Sequence, residues 1–136
     1  MTAYKTPRFI DVYRFEGEDG RGPYVSYSNE QIDGNVTDPF KHPLPRNDKG
    51  FAHIYAYGDY PEIDNYFFGF ASIDQLMRWF DNEDIIEELV RKEYKLYKMT
   101  VEAEVPEDVI FGETQVMFIK AKVCRKEQLD VLEIYN

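Results

Sequence analysis

Cysteine and long apolar runs are nearly absent from this 136-residue sequence. The single cysteine, Cys124, cannot form an internal disulfide or supply a thiolate cluster, so we expect a reducing, cytoplasmic location and no bound metal. No apolar run approaches the roughly 18 residues of a membrane helix, and the N-terminal segment lacks the apolar stretch of a secretory signal, so we expect no membrane association. The 8 glycines and 7 prolines exclude collagen-like and low-complexity classes.

Basic residues are scarce in the middle of the chain. The whole sequence has 16 Lys and Arg against 26 Asp and Glu, a formal net charge of −10. Residues 51–90 hold nine acidic residues and one basic residue, Arg78, a net charge of −8. We expect no direct nucleic-acid binding, because such binding depends on Lys and Arg displacing counterions from phosphates. The acidic segment is either a solvated surface or a surface that meets a basic protein partner.

Apolar and aromatic residues are plentiful enough to bury one core. They make up 43% and 16% of the chain, so we expect residues 1–136 to form one domain. Alternating residues predict strands over 8–16, 94–105 and 115–123, a short strand ending at Gly69, and a closing strand within 129–135. The pattern predicts an α+β fold of mostly antiparallel sheets, with two short helices at about residues 72–92 between the N- and C-terminal β-segments.

The two predicted helices have clear start signals and apolar faces. Ser72 can cap the first helix by accepting from the Gln75 amide while Gln75 reaches back, and Asp81 or Asn82 can cap the second. The residues expected to be buried are Leu76, Trp79 and Phe80 in the first helix and Ile85, Ile86, Leu89 and Val90 in the second. The residues expected to face water are Glu83, Asp84, Glu87 and Glu88.

Arg14 occupies an unusual place for a cation. In the strand over 8–16 it shares a face with Ile10 and Val12, since side chains alternate between the two faces of a strand. An unpartnered buried charge is very costly. We therefore expect Arg14 to be paired or to line a cleft.

The remaining segments carry few chemical motifs. Residues 17–50 predict irregular structure with a short helix opening at Ser28, and the proline-rich stretch 37–50 is typical of a binding loop or lid. His42 and His53 lack partners at ligand spacing, so we interpret them as loop residues. Cys124, near a strand end, is expected to be a small buried hydrophobe.

Five short motifs carry a resemblance to known proteins. They are Tyr13-Arg14, Gly20-x-Gly22-Pro23-Tyr24, Gly69-Phe70-Ala71-Ser72, Gln75-Leu76-x-x-Trp79-Phe80 and Gln115-Val116-Met117-Phe118. Together they resemble a family of small bacterial and phage-encoded proteins. The order of the elements also resembles the ADP-ribosyltransferase-like fold, in which such segments surround a nicotinamide dinucleotide.

That second resemblance implies an NAD site and a set of residues. Arg14 would hold a phosphate of the nucleotide, Ser72 would structure the pocket, and Tyr24 would stack on the nicotinamide, or an aromatic near Tyr66 and Phe68 would do so. Gln115 or Glu113 would take the position of the glutamate that contacts the ribose hydroxyl. A carboxylate is needed there because breaking the N-glycosidic bond develops positive charge on the ribose.

The sequence departs from that pattern at the catalytic position. Gln115, not a glutamate, opens the late strand, and Glu113 lies two residues earlier. An amide does not supply the full negative charge, so we expect the scaffold to bind a nucleotide such as NAD, or only a protein, without turnover. The alternative hypothesis is an acidic, non-enzymatic interaction protein, such as a phage-type inhibitor or nucleic-acid mimic, that presents residues 59–88 to a basic protein partner.

Overall fold

Two three-stranded antiparallel sheets and three helices build the fold of the computed structural model, which describes residues 3–18, 20, 49–51, 65–81 and 83–135. The strands are β1 (Arg8–Glu16), β2 (Tyr66–Gly69), β3 (Lys95–Ala103), β4 (Val109–Phe111), β5 (Val116–Ile119) and β6 (Val123–Leu129). The helices are α1 (Ile73–Trp79), α2 (Glu83–Arg91) and α3 (Val131–Tyr135), and short 3₁₀ turns cover Lys49–Phe51, Pro106–Asp108 and Lys120–Lys122. The α+β prediction is confirmed, with α3 as an additional helix.

The first sheet has the strand order β1-β3-β6, and each of its faces has a different neighbour. β1 and β3 pair over their full length, from Arg8 opposite Ala103 to Glu16 opposite Lys95. Val12, Met99 and Val101 lie on one face and pack against the second sheet, which has the order β2-β5-β4. Phe15 and Leu96 lie on the other face, where they pack against the helices.

Within the described residues, one isolated β-bridge joins the two sheets. Tyr13 of β1 and Phe70 exchange two backbone hydrogen bonds of 2.8 Å, immediately after β2 ends at Gly69. A Cβ atom at position 69 would lie 2.6 Å from the Tyr13 carbonyl oxygen, so the close approach of the two chains requires glycine there. The bridge thereby fixes the second sheet against the edge of the first.

The helices pack as their sequence patterns predict, with one exception. Leu76, Trp79 and Phe80 are buried in the first predicted helix, and Ile85, Ile86 and Leu89 in the second. Aromatic rings also pack together in this layer. Phe15 and Phe80 are in edge-to-face contact, with ring centroids 5.1 Å apart. Val90 is the exception, with 47% of its surface exposed, so the apolar face of α2 is narrower than the predicted one.

The C-terminal third differs from the sequence prediction in four respects. The predicted single strand over 115–123 is wrong, because the chain turns at Lys120–Lys122 and divides it between β5 and β6. The predicted closing strand over 129–135 is also wrong, since β6 ends at Leu129 and α3 follows. β4 lies between the predicted strands over 94–105 and 115–123, in a segment for which the sequence predicted no strand. Cys124, expected to be buried, is exposed on β6.

Several expectations fall outside the described residues. These are most of the irregular segment 17–50 with its proline-rich stretch, the helix at Ser28, and both His42 and His53. In the part of the chain that the structure describes, no helix is long and apolar enough to cross a membrane. Within the same residues, no three His, Cys, Asp or Glu side chains are grouped as metal ligands would be.

Candidate functional site

Arg14 is buried and is held by three neighbours. Its Nε donates to Glu16 Oε2 at 3.0 Å, its Nη1 donates to the Phe68 carbonyl oxygen at 2.7 Å, and its guanidinium lies 4.1 Å from the centre of the Phe67 ring. Burial lowers the pKa of Arg14, and the hydrogen bond and charge of Glu16 oppose that shift. The prediction that Arg14 is paired is therefore confirmed, and its charge is compensated inside the protein.

Glu16 binds a second cation from the opposite end of the chain. Lys126 of β6 donates to Glu16 Oε1, and its ammonium lies 4.1 Å from the centre of the Tyr97 ring. The side chain of Glu16 is only 3% exposed, so both of its oxygens are satisfied away from bulk water. The cluster of Arg14, Glu16 and Lys126 thus ties both outer strands of the first sheet to each other, and Arg14 ties it to β2.

Ser72 and Gln75 form the N-terminal cap of α1. Ser72 Oγ accepts from the Gln75 backbone amide at 3.0 Å, and Gln75 Oε1 accepts from the Ala71 amide at 2.8 Å. Gln75 thus reaches back as predicted, one residue further than the capping box requires. Its Nε2 donates to the Glu113 carbonyl oxygen at 3.4 Å, which connects the cap to the turn between β4 and β5.

Glu113 and Gln115 lie in that turn with opposite exposures. The Gly112 amide donates to the Gln115 carbonyl oxygen at 2.8 Å and closes the turn. Gln115 is 5% exposed, whereas Glu113 is exposed. The carboxylate therefore faces solvent, while the amide that takes the place of the expected glutamate is buried.

The structure brings some of the predicted residues together. Gln75 joins Ser72 to the backbone of Glu113. The hydrogen bonds and ring contact of Arg14 go to Glu16, Phe67 and Phe68, so Arg14 lies beside the alternative stacking position near Tyr66 and Phe68. Within the described residues, none of these contacts goes to Ser72, Glu113 or Gln115. Tyr24 lies outside the described residues.

A groove of about 520 Å³ lies on the first sheet, on the face opposite Arg14. The helices cover the Phe15 end of this face and leave its other end open. The groove is lined by Phe9, Asp11, Lys98, Thr100, Cys124, Arg125 and Glu127. Sequence reasoning missed it, although the polar residues at alternate positions of β3 and β6 were a signal that this face meets water.

Acidic side chains dominate the exposed side of α2, and another, Asp81, lies two residues before the helix begins. Asp81, Glu83, Asp84 and Glu87 are all exposed, and we call these four the acidic surface. Glu88, expected to face water, is half-buried and instead pairs with Lys92 at 3.2 Å and with Arg91 at 3.4 Å. The acidic surface therefore lies N-terminal to the basic end of the same helix.

These observations define a small α+β protein with two sheets, one capped helical layer and an acidic helical surface. Comparison with protein families gives a match over residues 4–132 to the family described as Bacteriophage T4 Y00F protein, and the chain belongs to that family. The expected likeness to a small phage protein family is thus confirmed. No curated protein and no solved structure matches the chain.

Proposed function

We propose that this protein is an acidic, non-enzymatic interaction protein that binds a basic protein partner through the acidic surface. The observation that carries the proposal is that two of the predicted cofactor-binding side chains already have partners within the protein. Arg14 is bound to Glu16 and to the Phe68 carbonyl, and the Ser72 hydroxyl accepts from Gln75. A phosphate at Arg14 would have to displace a buried ion pair, which is energetically costly.

The acidic surface has the chemistry that such a partner would recognise. Glu83 and Glu87 are four residues apart in α2, so their carboxylates lie on one side of the helix, with Asp84 beside them. Like charges in such a row repel one another, so the binding of an opposite charge lowers their electrostatic energy. Lysine and arginine side chains of a protein partner would supply that charge.

A pull-down from bacterial lysate with a salt gradient tests the proposal. The immobilised protein should retain basic proteins at low salt and release them steeply as salt rises, because exposed charges are screened. The triple variant Glu83→Gln, Asp84→Asn and Glu87→Gln should lose that retention. The matched control neutralises three exposed carboxylates elsewhere, Glu18, Glu93 and Glu133, and should retain the partner. Equal retention by the two triple variants contradicts the proposal.

The nucleotide-binding alternative is supported by one contact. The hydrogen bond from Gln75 to the Glu113 backbone holds Ser72 near the turn where the resemblance expects the catalytic carboxylate. If this were an ADP-ribosyltransferase-like site, calorimetry would detect NAD binding, and Glu113→Ala would weaken the binding without unfolding the protein. Absence of heat on titration with NAD would favour the interaction protein.

A further inference from the structure

β6 is an exposed edge of the first sheet. It pairs with β3 on one side, and among the described residues no strand is paired with its other side. The five residues between Val123 and Leu129 are all exposed. An edge of this kind presents unpaired backbone amide and carbonyl groups, which are a template for pairing with another strand.

Two opposite charges lie on one face of this edge. Arg125 is opposite Thr100 and Glu127 is opposite Lys98, so both side chains project toward the groove on the open face. Neither side chain forms an ion pair with a residue of the described part of the chain. Among the described residues, the edge therefore holds one positive and one negative side chain that have no ion-pair partner, two residues apart.

We propose that β6 is a self-association surface, which pairs antiparallel with β6 of a second copy about a two-fold axis at Lys126. In this register Arg125 of each copy lies opposite Glu127 of the other, and two ion pairs form across the new strand pair. The result is a continuous six-stranded sheet whose two grooves lie on the same face. The proposal is independent of the acidic surface, since α2 takes no part in it.

The charges of Arg125 and Glu127 favour this register over those with the two-fold axis one residue earlier or later. A shift of the two-fold axis to position 125 would place Arg125 opposite Arg125, and a shift to position 127 would place Glu127 opposite Glu127. Like charges directly opposite each other are destabilising in a sheet, whereas opposite charges stabilise it. Charged residues on an edge strand often prevent it from pairing with another chain. Here Arg125 and Glu127 instead favour pairing in one register, with the two-fold axis at Lys126.

The two copies of Lys126 at the axis do not prevent this pairing. Each ammonium is bound to Glu16 of its own chain and lies over the Tyr97 ring, on the face opposite Arg125. Its charge is compensated before the second copy arrives. One strand pair covers less surface than a stable dimer interface needs, so the association should depend on concentration.

Sedimentation velocity over a concentration series tests the proposal. The wild-type protein should shift from monomer toward dimer as its concentration rises. Arg125→Glu alone or Glu127→Arg alone creates two like-charge pairs and should weaken association roughly ten- to hundredfold. An equimolar mixture of these two single variants should associate again, because each Glu faces an Arg in the mixed dimer. That rescue cannot arise from misfolded variants.

Controls of the same charge change separate this register from a general charge effect. Arg78→Glu on α1 and Glu18→Arg, both exposed, should leave the association of the wild-type protein unchanged. The double variant Arg125→Glu/Glu127→Arg should associate as the wild type does. A wild-type protein that is monomeric at every concentration overturns the proposal, and so does a mixture of the two single variants that stays monomeric.

Discussion

Gly69 and Tyr13 lie so close that a Cβ atom at position 69 would be 2.6 Å from the Tyr13 carbonyl oxygen, closer than van der Waals contact between carbon and oxygen allows. The ring of Phe118 lies 3.2 Å from the same point on another side. The two sheets therefore meet at backbone contact distance at this junction, and no side chain at position 69 fits between them. Residue 69 has no room to accommodate a methyl group without moving a strand.

Gly69→Ala should lower the free energy of unfolding by about 2 kcal/mol, because overpacking forces the backbone to shift. The change is measured by urea unfolding. Gly20→Ala is the comparison, since nothing lies within 4 Å of a Cβ there and the cost arises from the positive φ of 79° alone, about 1 kcal/mol. A loss at position 69 no greater than the loss at position 20 would contradict the packing argument.

Glu16→Gln should lower the free energy of unfolding by about 3 kcal/mol, because it leaves the buried Arg14 without its counter-charge. Lys126→Met should cost less, about 1 kcal/mol, since the Lys126 side chain is 44% exposed and Glu16 keeps its ion pair with Arg14. Chemical denaturation of both variants gives the comparison. If the two variants lose the same free energy of unfolding, the Arg14–Glu16 pair is not the main contributor of this cluster to stability.

Ser72→Ala should lower the free energy of unfolding by about 1 kcal/mol, because the Gln75 amide loses its capping acceptor. Ser72→Asp retains an acceptor at the same position and should unfold close to the wild-type urea midpoint. A structural role predicts this difference whether or not a nucleotide binds. Equal midpoints for the two variants would show that the cap does not stabilise α1.

Tyr135→Phe should raise the free energy of unfolding by about 1 kcal/mol. The Tyr135 hydroxyl is buried and has no hydrogen-bond partner among the described residues, so its removal relieves a desolvation cost. Tyr66→Phe provides the matched opposite case, since the Tyr66 hydroxyl donates to the Glu107 carbonyl oxygen at 2.9 Å. That variant should lose about 1 kcal/mol in the same unfolding measurement. A Tyr135→Phe protein that is less stable than the wild type would show that its hydroxyl does find a partner.

The same tyrosines predict how stability changes at alkaline pH. Burial raises the pKa of Tyr135, with Asp81 adding to the shift, and burial together with Asp108 and Glu107 raises the pKa of Tyr66. The unfolded chain ionises at its tyrosines near pH 10 while the folded chain holds these two protons. Stability is therefore intact below about pH 10 and falls as pH rises above it. Thermal melts from pH 9 to 11 should show a shallower fall for Tyr135→Phe than for the wild type.

The local patterns of the sequence predict the elements that have a clear alternation or a clear start signal. β1 spans the predicted residues 8–16, and α1 begins after the predicted cap, Ser72. The run from Val116 to Phe118 does not obey this logic, because these three consecutive residues are buried on both faces of a strand between two layers. No glycine or proline marks the turn at Lys120–Lys122, so alternation alone made β5 and β6 one strand.

The cluster of Arg14, Glu16 and Lys126 could also be predicted only in part from the sequence. The position of Arg14 among apolar residues predicted that it needs a partner. Glu16, two residues away on the same face, is that partner. The second cation on Glu16 comes from Lys126, 110 residues later in the chain, and no local pattern contains that pairing. The tertiary arrangement decides which charges are compensated and which, such as Arg125 and Glu127, are left at the surface.

Trp79, the one tryptophan of the sequence, is 7% exposed and lies with its ring 5.5 Å from that of Phe70. Phe70 in turn carries the backbone bridge to Tyr13. The tryptophan fluorescence of the native protein therefore originates from a single junction, where the helices, β1 and the end of β2 meet. A change in emission reports the opening of this junction, so an optical probe of it is built into the natural sequence.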